Sequence, residues 1–204
     1  NDIQNFRQLH SRTPGHPEVE IPGIEATTGP LGQGFGMAVG MATAESMLRS
    51  RVGELIDHFT YVVAGDGDFQ EPIVLGSASM AGHWGLSRLI VFYDSNNAQI
   101  SGKVDRSDSS NYAQIFEGFG WHVQEIDGHN HEEIREALEK AQVVDRPSLI
   151  IGTTIMAKGS ATMEGDHETH GAPLPQDEIN QTKEKLGLPL ESFYLPNEVI
   201  SHFQ

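Results

Sequence analysis

The chain has 204 residues, no cysteine, and 29 acidic against 13 basic side chains, for a formal net charge of −16. Disulfides, thiolate nucleophiles and Cys-ligated zinc are excluded, and so acidic a surface repels nucleic acid and anionic lipid. The longest apolar runs, such as "RLIVFYD" (88–94), fall far short of the roughly 20 residues that a membrane helix needs.

The chain opens on Asn1 inside a helical pattern and is expected to be a piece of a longer protein. "GPLGQGFGMAVGMATAESMLRS" (29–50) reads as a helix whose first half is crowded with Gly and Ala. Small residues there serve either tight packing or the close approach of backbone or a flat ligand. From residue 58 onward strands and helices alternate. "HFTYVVAG" (58–65), "RLIVFYD" (88–94), "WHVQEID" (121–127) and "SLIIGTTI" (148–155) are continuous apolar runs, suited to a parallel sheet buried on both faces. Helices are predicted between them: from Pro72 to about His83, over "YAQIFEGF" after the capping run "SDSSN", and over "HNHEEIREALEKAQ" with Asn130 as N-cap. This is a doubly wound α/β fold, a mostly parallel sheet with helices on both faces. A polar helix, "PQDEINQTKEKLG" (175–187), and Pro-punctuated loops follow, so we expect one domain over 1–174 and a helix with linker over 175–204.

The stretch "YVVAGDGDFQ" (61–70) sets an aspartate between two glycines at the end of a buried strand. In an open α/β sheet, ligands sit at the carboxyl ends of the strands. Asp66 follows one strand and "DSNNAQISG" (94–102) follows the next, so both loops open at the same edge. Gly65 and Gly67 admit a ligand to the backbone, while Asp66 and Asn96 are hard oxygen donors of the kind Mg²⁺ takes alongside phosphate oxygens and water. A tight turn explains GDG alone. Followed by an Asn pair after the next strand, it resembles the thiamine diphosphate signature.

In "NFRQLHSRTPGHPE", "PGIEATTGPLGQGFGMAVGMA", "GDGDFQE", "FYDSNNAQISG", "GWHVQEIDGHN" and "THGAPL", in that order and spacing, the chain resembles the diphosphate-binding region of transketolases. The resemblance implies the thiamine diphosphate-binding fold, with thiamine diphosphate and Mg²⁺ (or Ca²⁺) as cofactors. It implies metal ligation by Asp66, Asn96 and the Ala98 carbonyl, and a diphosphate contact at Gly67. Gly29, Pro30 and Leu31 would line the aminopyrimidine, and Glu71 would belong to the subunit interface. Asn97 stands where the family usually has Gly, in a left-handed backbone that Asn tolerates. Pro72 replaces another usual Gly.

His16 in "TPGHPE" and His170 in "ETHGAPL" match family histidines that face cofactor and ketose, and are the candidate catalytic residues. His83, His122, His129 and His131 read as surface or packing residues. "GDHETHG" (165–171) lacks the helical context and further ligands of a zinc site. Lys158 and Asp166 read as solvated loop charges or as parts of a loop closing over the site. The implied activity is two-carbon ketol transfer from a ketose phosphate to an aldose phosphate, in the pentose phosphate pathway, by a cytoplasmic homodimer. The partner subunit's pyrimidine-binding domain would complete the site, so this chain alone should be inactive. Other readings are one subunit of a split transketolase-like enzyme, a relative with another acceptor, and a non-catalytic cofactor-binding or assembly module.

Overall fold

The computed structural model describes residues 2–204. Two compact units divide them: His16–Thr154, and Ile155–Gln204 together with the segment before His16.

In the larger unit all four expected strands form: β1 (Thr60–Gly65), β2 (Leu89–Ser95), β5 (His122–Asp127) and β6 (Ser148–Thr153). They pair in parallel in the order β1-β2-β6-β5. Between β2 and β5 lies a short antiparallel hairpin, β3 (Ala98–Gln99) with β4 (Gly102–Lys103), which the sequence did not reveal. The helices are α1 (Gln33–Val52), the four-residue α2 (Asp66–Phe69), α3 (Pro72–His83), α4 (Tyr112–Gly118) and α5 (His131–Val143). Pro72 occupies the first turn of α3, where its missing N–H costs nothing. Asn111 caps α4 by accepting from the Gln114 N–H at 2.9 Å, and Asn130 caps α5 by accepting from Glu132 and Glu133.

The chain steps from β1 to β2, passes over one position to β5, and turns back to β6. That reversal puts α5 on the opposite face from α3 and α4. On one face Phe35, Phe69, Phe116 and Trp121 form an aromatic core with Leu89, Val91 and Leu149. On the other, Ala137 and Ala141 of α5 cover Ile90 and Ile150. Helices therefore lie on both faces, as the sequence predicts.

Burial on both faces holds for the central strands β2 and β6 but not for the other two. In β1, Tyr61 is 53% and Val63 79% exposed, and β5 has no fully buried residue. Both are edge strands among the described residues, so each lacks a neighbour on one side. The Gly-rich half of α1 packs closely on α3: a Cβ at Gly36 would stand 3.3 Å from the Ile73 side chain, whereas one at Gly40 would meet nothing within 4 Å.

The smaller unit carries the expected polar helix α6 (Gln176–Lys185), an unexpected α7 (Asn197–Phe203) within the Pro-punctuated tail, and 3-10 turns at Asp2–Asn5 and His167–Thr169. The helical opening of the chain is thus only a single 3-10 turn. No described helix is long and apolar enough to cross a membrane.

Candidate functional site

The GDG segment does not form an open loop. The strand ends at Gly65 and α2 begins at once with Asp66. What fixes this turn is Phe69, fully buried and stacked on Tyr93 with ring centroids 4.0 Å apart. With Phe69 locked in the aromatic core, Asp66 one turn earlier is held at the strand end and is only 4% exposed.

A buried carboxylate needs partners. Asp66 Oδ1 accepts from the Tyr93 hydroxyl at 2.6 Å. Its Oδ2 accepts from the backbone N–H groups of Asn96 at 3.1 Å and Ala98 at 3.3 Å. All three donors are neutral. The Tyr93 phenol is pushed far above its usual range, first by burial and then by the Asp66 carboxylate, so it stays a donor. Asn96 donates its Nδ2 to Asp94 at 3.2 Å, while its Oδ1 accepts from the Ala98 N–H at 3.0 Å. Thr154 donates to the other oxygen of Asp94. The amide oxygen of Asn96 and Oδ2 of Asp66 therefore converge on one backbone N–H at the ends of adjacent strands.

Asn97 is in the left-handed region, φ 56°. Its side chain turns away to Asp105, accepting from the Asp105 N–H at 3.1 Å and donating to the carboxylate at 3.3 Å. Of the two asparagines, Asn96 is the one beside Asp66.

Asp68 was not singled out by the sequence. Its Oδ1 accepts from the Gly32 N–H at 2.8 Å and its Oδ2 from the Gly65 N–H at 2.9 Å. It joins the segment 29–32 to the strand end. The available signal was an acid three residues beyond a helix N-cap, the second half of a capping box. Tyr93 was missed as well: a strand tyrosine needs a partner for its hydroxyl when buried, but which partner depends on the fold.

Gly29, Pro30 and Leu31 line a cavity of about 460 Å³ with His16, Ala64 and Asp68. Gly29 has φ 137°, and a Cβ there would lie 2.9 Å from the His16 ring. Only glycine allows that approach. A Cβ at Gly67 would reach 3.1 Å from Leu31 Cδ1, so the 29–32 segment and the GDG turn are in contact. Glu71 is the N-cap residue of α3 and packs against Gly32. Asp66 borders a second cavity of about 200 Å³ with Tyr93, Ser95, Asp105 and Asp108 rather than the larger one.

His170 belongs to the smaller unit, and its Nδ1 is buried without a hydrogen-bond partner. Lys158 pairs with Glu164 at 3.8 Å, and Asp166 caps the His167–Thr169 turn. His83, His129 and His131 are exposed. His122 is partly buried, and burial with the nearby Arg146 and Lys140 lowers its pKa.

Comparison with known proteins decides the family. A family model described as transketolase, thiamine diphosphate binding domain, matches residues 1–204. The chain belongs to the transketolase thiamine diphosphate binding domain family. It is 50% identical over 200 residues to a transketolase of Sinorhizobium medicae (strain WSM419), covering 97% of this chain and 29% of that protein. It is 47% identical to a transketolase of Geobacillus stearothermophilus, covering all of this chain and 32% of the relative. Among solved structures it resembles transketolase from Campylobacter jejuni subsp. jejuni NCTC 11168, with a TM-score of 0.96 at 45% identity, over 100% of this chain and 32% of that one. Transketolase from Leishmania mexicana gives a TM-score of 0.93 at 40% identity, over 99% and 31%. The chain thus spans about a third of the length of the relatives it matches.

The chemistry of the donor set at these strand ends suits a hard divalent cation. Asp66 is a buried anion whose partners are all neutral, and Asn96 presents an amide oxygen next to it. No cluster of three His, Cys, Asp or Glu side chains among the described residues could hold a metal. Asp66 and the Asn96 amide are the hard oxygen donors that the fold brings together here.

Proposed function

We propose that the protein carrying this domain is a transketolase, moving a two-carbon ketol unit from a ketose phosphate to an aldose phosphate within the pentose phosphate pathway. The observation that carries the reading is the convergence of Asp66 Oδ2 and Asn96 Oδ1 on the Ala98 N–H at the ends of neighbouring parallel strands. Those two oxygens and the Ala98 carbonyl hold Mg²⁺, with Ca²⁺ as the alternative, and the cation offsets the diphosphate charge in a strongly acidic protein. Gly65 and Gly67 let the backbone reach the diphosphate. Gly29, Pro30 and Leu31 bound the space for the aminopyrimidine.

When bound, thiamine diphosphate supplies the carbanion chemistry by which a carbon–carbon bond beside a ketose carbonyl is broken and remade. The chain's own task is to bind, orient and move protons. His16, at the wall of the 460 Å³ cavity, contacts the ketose near its reacting carbon. By the resemblance, His170 would meet diphosphate or substrate oxygens and stabilise charge as it develops. The protein works in the cytoplasm as a homodimer, with Glu71 near the subunit interface and the partner's pyrimidine-binding domain completing the site.

The test is a titration of thiamine diphosphate with and without Mg²⁺, using wild type and Asp66→Ala. Binding should require the metal and be lost in the variant. Metal-independent binding that is unchanged in Asp66→Ala would refute the proposal.

A further inference from the structure

We propose that Asp94 is a positioning residue for the metal seat: its carboxylate, held by Thr154, fixes the Asn96 amide so that the oxygen and not the NH₂ group lies beside Asp66. The inference rests on the seat proposed above and adds two residues outside it.

An asparagine amide has an oxygen that accepts at one end and an NH₂ group that donates at the other. Only the oxygen can ligate a hard cation, so an amide turned over would take one donor out of the seat. Two partners decide which way it points. The Asp94 carboxylate can only accept, and it takes Asn96 Nδ2 at 3.2 Å. The Ala98 N–H can only donate, and it reaches Asn96 Oδ1 at 3.0 Å. An amide oxygen has two lone pairs, so this one N–H leaves the second for a cation. A turned amide would set oxygen against carboxylate and NH₂ against N–H, losing both bonds. Of the two holds, the one from Asp94 is the stronger. It is charge-assisted, whereas the Ala98 N–H is shared with Asp66 Oδ2 at 3.3 Å.

Asp94 is itself fixed. On β2 it pairs with Gly65 of β1 and Gly152 of β6, neither of which has a side chain to engage it. Its other carboxylate oxygen accepts from the Thr154 hydroxyl. Thr154 is anchored in turn, its N–H donating to the Ser95 carbonyl at 3.0 Å. A chain of bonds therefore runs from the end of β6 through Asp94 to the Asn96 amide.

The rival explanation is that the Asp94 charge merely attracts a cation, and two variants separate them. Asp94→Asn keeps an acceptor for Asn96 Nδ2 and loses the charge; Asp94→Ala loses both. On the full-length protein, Mg²⁺ is titrated at fixed thiamine diphosphate, with cofactor binding followed by quenching of protein fluorescence. Asp94→Ala should raise the Mg²⁺ concentration for half-maximal binding by about tenfold, the usual effect of removing a group that orients a metal ligand. Asp94→Asn should raise it by no more than about threefold. In an Asn96→Ala background Asp94→Ala should add nothing, because no amide is left to orient. Three results overturn the inference while Asn96→Ala still raises the Mg²⁺ requirement: no change in Asp94→Ala, an equal loss in Asp94→Asn and Asp94→Ala, or full additivity in the double variant. If Asn96→Ala leaves the requirement unmoved, the seat itself fails and the inference with it. Should Asp94→Ala not fold, Thr154→Val decides, since it keeps the shape and loses only the hydroxyl that holds Asp94. A rise of about threefold that vanishes in the Asn96→Ala background supports the inference; no rise, or an equal rise in both backgrounds, overturns it.

Discussion

Asp68 and Gly32, 36 residues apart in the chain, are joined by a 2.8 Å hydrogen bond from the glycine N–H to the carboxylate. The other oxygen of the same carboxylate holds the Gly65 N–H at 2.9 Å. One side chain thereby sets the distance between the segment that lines the larger cavity and the turn that carries Asp66. Asp68→Asn keeps the shape but points an amide at one of two N–H donors. Stability should fall by about 1–3 kcal/mol, the cost of a lost bond and an unpaired buried donor. Thiamine diphosphate affinity should weaken by about tenfold, with kcat at saturating cofactor changed less. A melting curve and a cofactor titration check both, and an unaltered cofactor Kd counts against this role.

The two neighbouring asparagines should respond differently. Asn96→Ala removes the oxygen beside Asp66, and the Mg²⁺ concentration needed for half-maximal cofactor binding should rise by about tenfold or more. Asn97→Gly suits the left-handed backbone at φ 56° and gives up only exposed contacts to Asp105. Its stability should stay within about 1 kcal/mol of wild type, and its metal requirement should not move. Metal titrations of the two variants side by side would expose a reversed assignment.

Phe69 couples stability to function, because the buried ring pins the turn between Asp66 and Asp68. Phe69→Ala leaves a cavity among Phe35, Tyr93, Tyr112 and Phe116, with an expected loss of about 3–5 kcal/mol. Phe69→Leu should lose less. Cofactor affinity, measured by titration at a temperature where each variant is still folded, should fall in the same order as stability.

In the smaller unit Glu178 accepts from the Thr162 N–H and hydroxyl, both at 2.7 Å, and from the Met163 N–H at 3.2 Å. These bonds, the Thr162 N–H first, hold its pKa below the ordinary value of 4.5. A carboxylate with a depressed folded-state pKa stabilises the fold above its ordinary pKa, and that contribution disappears as pH falls through the lowered value. Wild type should therefore lose stability on acidification below that ordinary value. Glu178→Gln should be less stable at neutral pH and show a flatter acid limb. Melting temperatures measured across pH 3 to 7 would reveal it, and parallel curves for the two proteins would sink it.

Elements whose causes are local were legible in the chain alone. Continuous β-branched and aromatic runs became strands, Pro72 opened α3, and Asn111 and Asn130 capped α4 and α5 because each bonds N–H groups two or three residues away. Alternation of strand and helix also placed Asp66 and Asn96 at the same sheet edge, since parallel strands share one carboxyl end. The packed fold places β6 between β2 and β5, which leaves β1 and β5 at the edges among the described residues, with Tyr61 and Val63 exposed. It alone gave Asp68 and Tyr93 their partners, 36 and 27 residues away. Residue spacing governs what a side chain can reach within a turn or two; beyond that, reach depends on which faces the packed core brings together.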